Sequence, residues 1–362
     1  MGIPLSVYGE RRVVLLRWRR ARHGDPHLNY PDVDNRATRA PELAPVVGIQ
    51  AGEEAVVRLE RRAIDPNAEL HVVSSDKGKV DVVLPADGKV PSGPHADIRL
   101  SGVSGGNPNE VKLEVRFGSA TGPIVSILIV RCFSRRRVVM TPHLVTIAGP
   151  TGAGGIASTA NVAAIMSHVR AIWRHCGVDF TINATVNDTL NFASPGVVSD
   201  TPFPGEVATL LSTNWVPNSI NAYFVQRIGA GGTLGYGFSR PSSVTFALPN
   251  PGIILADRAG PAVHDTAWAG NDLAHEAGHF FQLWHPNNQQ PPTEREDTWS
   301  RRMLMHNFNT QPIMSNWKDD NGYGAIGGSA RRGALVTHKD IPAIATDREC
   351  TTARNAIVAG PY

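Results

Sequence analysis

Four residues able to do chemistry stand close together in one stretch of the chain. The segment DLAHEAGHFFQLWHPNNQQ, residues 272–290, contains His275, Glu276, His279 and His285. If residues 266–284 form a helix, His275 and His279 lie one turn apart on the same face, the spacing at which two imidazoles bind one zinc ion. His285 would supply the third ligand if the chain turned back sharply after the helix.

Glu276 is predicted to act as a general base. It stands beside the first histidine and so can reach a water molecule on the metal, whose pKa zinc lowers towards neutrality. The carboxylate would accept a proton as the water attacks a carbonyl, and would later pass it to the leaving amine. These residues therefore predict a hydrolytic zinc site.

The whole pattern His275-Glu276-x-x-His279-x-x-Gln282-x-x-His285 resembles the metzincin signature of zinc proteases, His-Glu-x-x-His-x-x-Gly-x-x-His. The resemblance extends through most of 138–358, and LGYGF is similar to the edge strand, near 233–238, that pairs with extended substrate in pappalysin-like members. It implies a zinc endopeptidase with a methionine turn beneath the metal. Further residues that the resemblance suggests are Met305 for that turn, with Met314 as the alternative, and Tyr323 near the oxyanion, with a surface turn as its alternative.

Gln282 departs from this signature, which has glycine at that position. Glycine ends the helix in a left-handed conformation that aims the third histidine at the metal. Glutamine there costs on the order of 1 kcal/mol of steric strain, which a metal site could impose on it. In the alternative arrangement His285 is not a ligand, and a downstream carboxylate replaces it: Glu294, Glu296 or Asp297.

The elements that must position these residues fall into two parts. From about 45 to 133 the hydrophobic pattern has period two with frequent turns, which indicates a β-sandwich. After 134–137 the pattern changes: VVMTPHLVTI is strand-like, GPTGAGG is a loop, and an amphipathic helix follows, STANVAAIMSHVRAIWRHCG, with Ser158 or Thr159 as its cap and Gly177 at its end. We expect two domains: residues 1–135, an accessory all-β immunoglobulin-like sandwich, and residues 136–362, an α/β (α+β) metzincin-like catalytic domain.

The composition excludes several other classes of protein. The 362 residues are 41% hydrophobic and 19% charged with a net charge of +3, as in an ordinary globular protein. Apolar runs fall short of the ~18 residues that span a membrane, and basic runs interleaved with aromatics are missing, so we expect neither a membrane span nor a nucleic-acid partner. The cysteines, Cys132, Cys176 and Cys350, are too far apart in sequence to form a cysteine-built zinc module, but two of them could form one disulfide bond.

Two classes of function follow from the sequence. The first is a zinc-dependent endopeptidase acting on a protein or peptide; a variant of it is a zinc amidase acting on a non-protein amide such as a cell-wall cross-link. The second is a zinc-binding adhesion or interaction protein with an inert metal site. Because a signal peptide is not recognisable, we expect a toxin or effector exported by a signal-peptide-independent route, whose N-terminal domain binds a delivery or target partner. A cytoplasmic location is the alternative.

Overall fold

The computed structural model describes residues 16–20, 46–106, 109–230, 233–259, 262–263, 266–283 and 353–357. These residues lie mostly in β-strands, with few helices. The chain divides into two compact units, Met1–Ser134 and Arg135–Tyr362. Among the described residues, no helix is both long enough and apolar enough to cross a membrane.

The first unit is a sandwich of two four-stranded sheets, in the strand orders β1-β3-β6-β5 and β2-β8-β7-β4. Alternation explains how the strands pack: Val111, Leu113 and Val115 are fully buried, whereas the charged residues between them are not. Both sheets contribute to one hydrophobic core. The strands are β1 (Leu16–Arg20), β2 (Val46–Gln50), β3 (Glu54–Arg61), β4 (Leu70–Ser74), β5 (Val80–Leu84), β6 (His95–Gly102), β7 (Asn109–Phe117) and β8 (Ile124–Phe133).

The prediction that this part of the chain is all-β is confirmed for its described residues. One pairing differs from the antiparallel sheets of an immunoglobulin-like sandwich, because β2 runs parallel to β8. A parallel pair joins strands that are distant in sequence. For that reason the hydrophobic pattern of β2 alone did not reveal it.

The second unit is built on a seven-stranded mixed sheet in the order β10-β9-β14-β17-β16, with β11 and β12 also paired to β9. The central strands β14 and β17 are buried along their whole length, as expected for parallel strands covered on both faces. The strands are β9 (Arg136–Ala148), β10 (Ile156–Ala157), β11 (Val178–Ile182), β12 (Val186–Asn191), β13 (Val197–Val198), β14 (Ile220–Val225), β15 (Arg227–Ile228), β16 (Gly235–Phe238), β17 (Gly252–Ala256), β18 (Arg258–Ala259) and β19 (Ala262–Val263).

Helices pack on both faces of this sheet. They are α1 (Val162–Trp173), α2 (Gly205–Ser212), α3 (Arg240–Thr245) and α4 (Thr266–Phe280). Helix α2 shares a core with Ile254 of β17 and Phe238 of β16. Helix α4 packs against α1 and against β16 and β17. Side chains alternate between the two faces along a strand, so a Cβ at Gly235 or Gly237 would lie on the face opposite to Phe238. Helix α4 covers this glycine face.

Two predicted helix boundaries need correction: the start of α1 and the end of α4. Helix α1 begins after Asn161, whose side chain accepts a hydrogen bond from the Ala164 N–H. The predicted caps, Ser158 and Thr159, instead donate to the buried Asp257 carboxylate, about a hundred residues away in sequence. Gly177 does adopt the left-handed conformation, with φ 68°, at the end of the following 3₁₀ turn. Helix α4 ends at Phe280 rather than at residue 284.

Candidate functional site

Helix α4 brings the first two predicted ligands together. The His275 and His279 rings are perpendicular, with centroids 4.8 Å apart. His275 is buried, and the whole segment 272–278 lies in the interior. Burial lowers the pKa of His279, and the hydrogen bond to the Leu283 carbonyl partly offsets this effect. The lowered pKa favours the neutral imidazole, the form that binds metals. The pair therefore offers two imidazole donors on one helical face.

The end of α4 fixes the orientation of His279. Gln282 has φ 64°, in the left-handed region. Its N–H donates to the His279 carbonyl, and the Leu283 N–H donates to the Gly278 carbonyl, each at 2.9 Å. These two bonds form a Schellman C-cap, the conformation for which glycine is usual. Gln282 thus adopts the strained left-handed conformation predicted for it.

The same cap supplies a partner to the ring of His279. The Nδ1 atom of His279 lies 2.9 Å from the carbonyl oxygen of Leu283, which can only accept, so Nδ1 carries the proton. The lone pair is therefore on Nε2. Metal-binding histidines usually donate their second ring N–H to such an acceptor, which fixes the tautomer.

Glu276 lies between α4 and the edge of the sheet. A Cβ atom at Gly235 would lie 2.7 Å from Glu276 Cγ, and one at Gly237 would lie 2.2 Å from the Glu276 carbonyl oxygen. Burial raises the pKa of Glu276 to about 8; the Asp272 carboxylate also raises it, whereas a hydrogen bond from the Gly237 backbone lowers it. The two glycines therefore let the helix approach the strand closely enough for this contact.

Strand β16 forms one edge of the sheet, and among the described residues it pairs only with β17. The Ala256 N–H donates to the Leu234 carbonyl at 2.9 Å, and the register places Gly235 opposite Leu255. Backbone groups alternate in direction along an antiparallel strand, so those of Gly235 and Gly237 point away from β17. The edge thus presents backbone groups next to the Glu276 carboxyl.

Helix α1 and aromatic side chains hold α4 in place from behind. The Trp173 indole nitrogen donates to the Ala274 carbonyl at 3.3 Å, and its ring contacts Phe281 edge to face, with centroids 5.1 Å apart. Where the helices cross, a Cβ at Gly270 would lie 2.4 Å from His168 Cβ. A residue without a side chain is therefore needed at the crossing.

A second buried cluster, in the sheet, has a structural role. His143 contacts the Asp188 carboxylate through Nδ1 at 2.8 Å and Asn221 through Nε2 at 2.9 Å, and its ring stacks on Tyr223. All these side chains are buried, and both ring nitrogens are engaged. The cluster ties β9, β12 and β14 together and leaves no atom of the ring open to a substrate.

Several predicted residues lie outside the described residues: His285, the alternative ligands Glu294, Glu296 and Asp297, the methionines Met305 and Met314, and Tyr323. Their predicted roles stay predictions. Of the cysteines, Cys176 is disulfide-bonded, and Cys132 is a buried free thiol.

Sequence reasoning missed the parts of the site that come from other elements. Gly235 and Gly237 were predicted only as part of an edge strand. Their alternate spacing indicates that one face of this strand carries no side chains, so that a helix can approach it closely. The Leu283 carbonyl is a backbone group, and side-chain patterns carry no information about it. Both features depend on the packing of α4 against β16.

Comparisons with known proteins do not assign the chain to a family. No family model matches the sequence, and no curated protein matches it. Among solved structures, SSP-19, an MSP-domain protein-like family member of Caenorhabditis elegans, matches with 17% identity over 24% of this chain and 94% of that chain, at a TM-score of 0.18. A similarity of this extent carries no argument about function.

The resemblance to metzincins is therefore corrected. Among the described residues there is no group of three or more His, Cys, Asp or Glu side chains that could hold a metal ion. The physical reason is that only His275 and His279 converge there, while the carboxyl of Glu276 is directed to the edge strand. A zinc site needs at least three protein ligands. The metzincin assignment was wrong, and what the described residues contain is a two-histidine pair beside a buried glutamate.

Proposed function

We propose that this protein is a zinc-dependent hydrolase that cleaves peptide bonds, with Glu276 as the general base. The observation that carries the proposal is the arrangement at the end of α4. There, the two imidazoles adjoin each other, and the Leu283 carbonyl holds His279 in the tautomer that has its lone pair on Nε2. A histidine fixed in this way by a backbone acceptor is typical of metal ligands.

His275 and His279 would hold the zinc ion, and the donor set fits it in type, because imidazole is a ligand that zinc prefers. A third ligand is required, and His285 remains the predicted one. When bound, zinc supplies a Lewis acid that polarises a carbonyl and lowers the pKa of a coordinated water towards neutrality. A cation beside Glu276 would also favour the carboxylate over the acid at neutral pH.

Glu276 would move the proton. Its carboxyl group is buried and accepts the Gly237 N–H, so it has a fixed orientation at the edge of the sheet. Without a metal, burial raises the pKa of Glu276 to about 8, and a zinc ion beside it would lower that pKa so that the carboxylate could accept a proton. Glu276 would take a proton from the attacking water and give it to the leaving amine as the peptide bond breaks.

The substrate would be a polypeptide in extended conformation. Among the described residues the edge of β16 opposite β17 is unpaired, and the Gly235 backbone groups and the Gly237 carbonyl there can hydrogen-bond an added strand, a common mode of peptide recognition. Such a strand would pass beside Glu276. In this proposal the unit Arg135–Tyr362 is the catalytic α/β module, and the sandwich Met1–Ser134 is an accessory module that binds a delivery or target partner.

The test measures bound zinc and hydrolysis of fluorescein-labelled casein by the full chain and its variants. Glu276→Gln preserves the shape of this side chain but removes its ability to accept a proton. We expect this variant to keep zinc and to lose about 100-fold or more in rate, the usual contribution of a general base. His275→Ala should lose both zinc and activity.

Matched controls come from the sandwich, where His95 and Glu69 are exposed. His95→Ala and Glu69→Gln should behave like the wild type. A wild-type protein that binds zinc but cleaves neither casein nor a cell-wall cross-linked peptide would overturn the proposal in favour of a binding protein. Cleavage of the cross-linked peptide alone would identify an amidase.

A further inference from the structure

A cluster of aromatic side chains lies beside the edge strand, on the face away from α4. Phe203, Phe238 and Phe246 contact one another with ring centroids 5.7 to 6.1 Å apart, and we call these three residues the aromatic wall. Phe203 is 39% exposed and Phe246 48% exposed, whereas Phe238 is buried. Large apolar side chains that are exposed and also clustered usually mark a binding surface.

The aromatic wall is held firmly in place. Phe203 belongs to the loop 199–204, and the Glu206 carboxylate accepts the Ser199 N–H at the start of this loop, at 2.7 Å. In the same loop, Asp200 accepts the hydroxyl of Tyr236 in β16, at 3.0 Å. The loop is therefore fixed to the edge strand itself, and the wall is preorganised rather than formed when a ligand binds.

The position of the aromatic wall relates it to a peptide on the edge strand. Phe238 is in β16, so the wall begins at the strand that an extended peptide would join. Successive side chains of an added strand point to opposite faces of the sheet. Every second side chain would point to the face of α4, with His275 and Glu276. The side chains between them would point to the face of the aromatic wall.

We infer that the aromatic wall is a specificity site that accepts one aromatic or large aliphatic side chain of an extended polypeptide. This inference rests on the proposed function and names the class of substrate. An apolar side chain would cover the exposed ring faces of Phe203 and Phe246, and aromatic rings pack well edge to face. A polar side chain would lose hydration against the rings of Phe203 and Phe246, which contain no hydrogen-bonding atom.

The experiment measures peptide binding directly, without turnover. The full-length Glu276→Gln protein is titrated into fluorescein-labelled octapeptides of alanine and serine, each with a single phenylalanine at a successive position, and into the parent peptide without phenylalanine. We expect phenylalanine at one position, or at two positions two residues apart, to tighten binding about tenfold, typical of one buried aromatic contact. Adding Phe246→Ser should reduce this preference to less than about threefold.

The control variant is Ile124→Ser, which removes an equally exposed apolar side chain from the sandwich. It should keep the full preference for phenylalanine. If wild-type protein cleaves casein and the variants bind every peptide equally well, the inference is wrong and the proposed function stands. If no peptide binds and casein is not cleaved, both are wrong. A dimer in solution that Phe246→Ser dissociates would assign the aromatic wall to a second copy of the chain and overturn the inference.

Discussion

The contact between β16 and α4 predicts a large effect from a small substitution, Gly237→Ala. The added Cβ would lie 2.2 Å from the Glu276 carbonyl oxygen and 3.0 Å from His279 Cβ. The first neighbour is a backbone atom of a buried helix, so no side-chain rotation relieves the clash. The strand and helix must separate instead, by about 1 Å, and overpacking of this kind costs about 1–3 kcal/mol.

Part of that cost is offset elsewhere. Alanine loses less backbone entropy on folding than glycine does, a gain of about 0.5–1 kcal/mol in a strand. The net decrease in the free energy of unfolding should be about 1–2 kcal/mol. The same movement shifts Glu276 and His279, so zinc affinity should also fall.

Urea unfolding, followed by tryptophan fluorescence, measures the first effect, and zinc titration measures the second. The matched control is Gly149→Ala in the same unit, where the added Cβ would meet its nearest atom at 3.5 Å, an ordinary contact. This control should be at least as stable as the wild type. Equal stability of Gly237→Ala and Gly149→Ala would refute the close packing of β16 on α4.

Three further predictions concern the helix ends, the helix crossing and the free thiol. Gln282→Gly should raise the free energy of unfolding by about 1 kcal/mol, because it relieves the left-handed strain, while Gln282→Ala should give no gain; thermal melting distinguishes them. Gly270→Ala should lower the melting temperature, since its Cβ would clash with His168, and an unchanged melting temperature would contradict the tight α1–α4 crossing. Burial raises the pKa of Cys132 to about 11, so at about pH 8 iodoacetamide should alkylate it far more slowly in the native protein than in guanidinium chloride. Equal alkylation rates would contradict its burial.

The sequence predicted well those features that depend on local periodicity. The alternation in Asn109–Phe117 predicted a strand with one buried face, and the structure has it. The one-turn spacing of His275 and His279 predicted that their side chains would adjoin, because α-helix geometry alone brings them together.

The sequence failed where distant residues compete with local signals. Ser158 and Thr159 have the right chemistry for a helix cap, but the Asp257 carboxylate binds them and Asn161 becomes the cap. The end of α4 was placed too late, although Gln282 was expected to be left-handed, because the Schellman bonds that define the end are made by the backbone. The metzincin assignment gave too much weight to the spacing of one motif, since among the described residues only two histidines converge.

The most direct test of the central claim is the zinc content and zinc coordination of the full-length protein. We predict one zinc ion per chain, with an X-ray absorption spectrum that shows at least two imidazole nitrogens at about 2.0–2.1 Å. His279→Ala should abolish stoichiometric binding, and His95→Ala should leave it intact. A wild-type protein that binds no zinc, or a His279→Ala variant that binds it as tightly as the wild type, would contradict the assignment of the His275–His279 pair as a metal site.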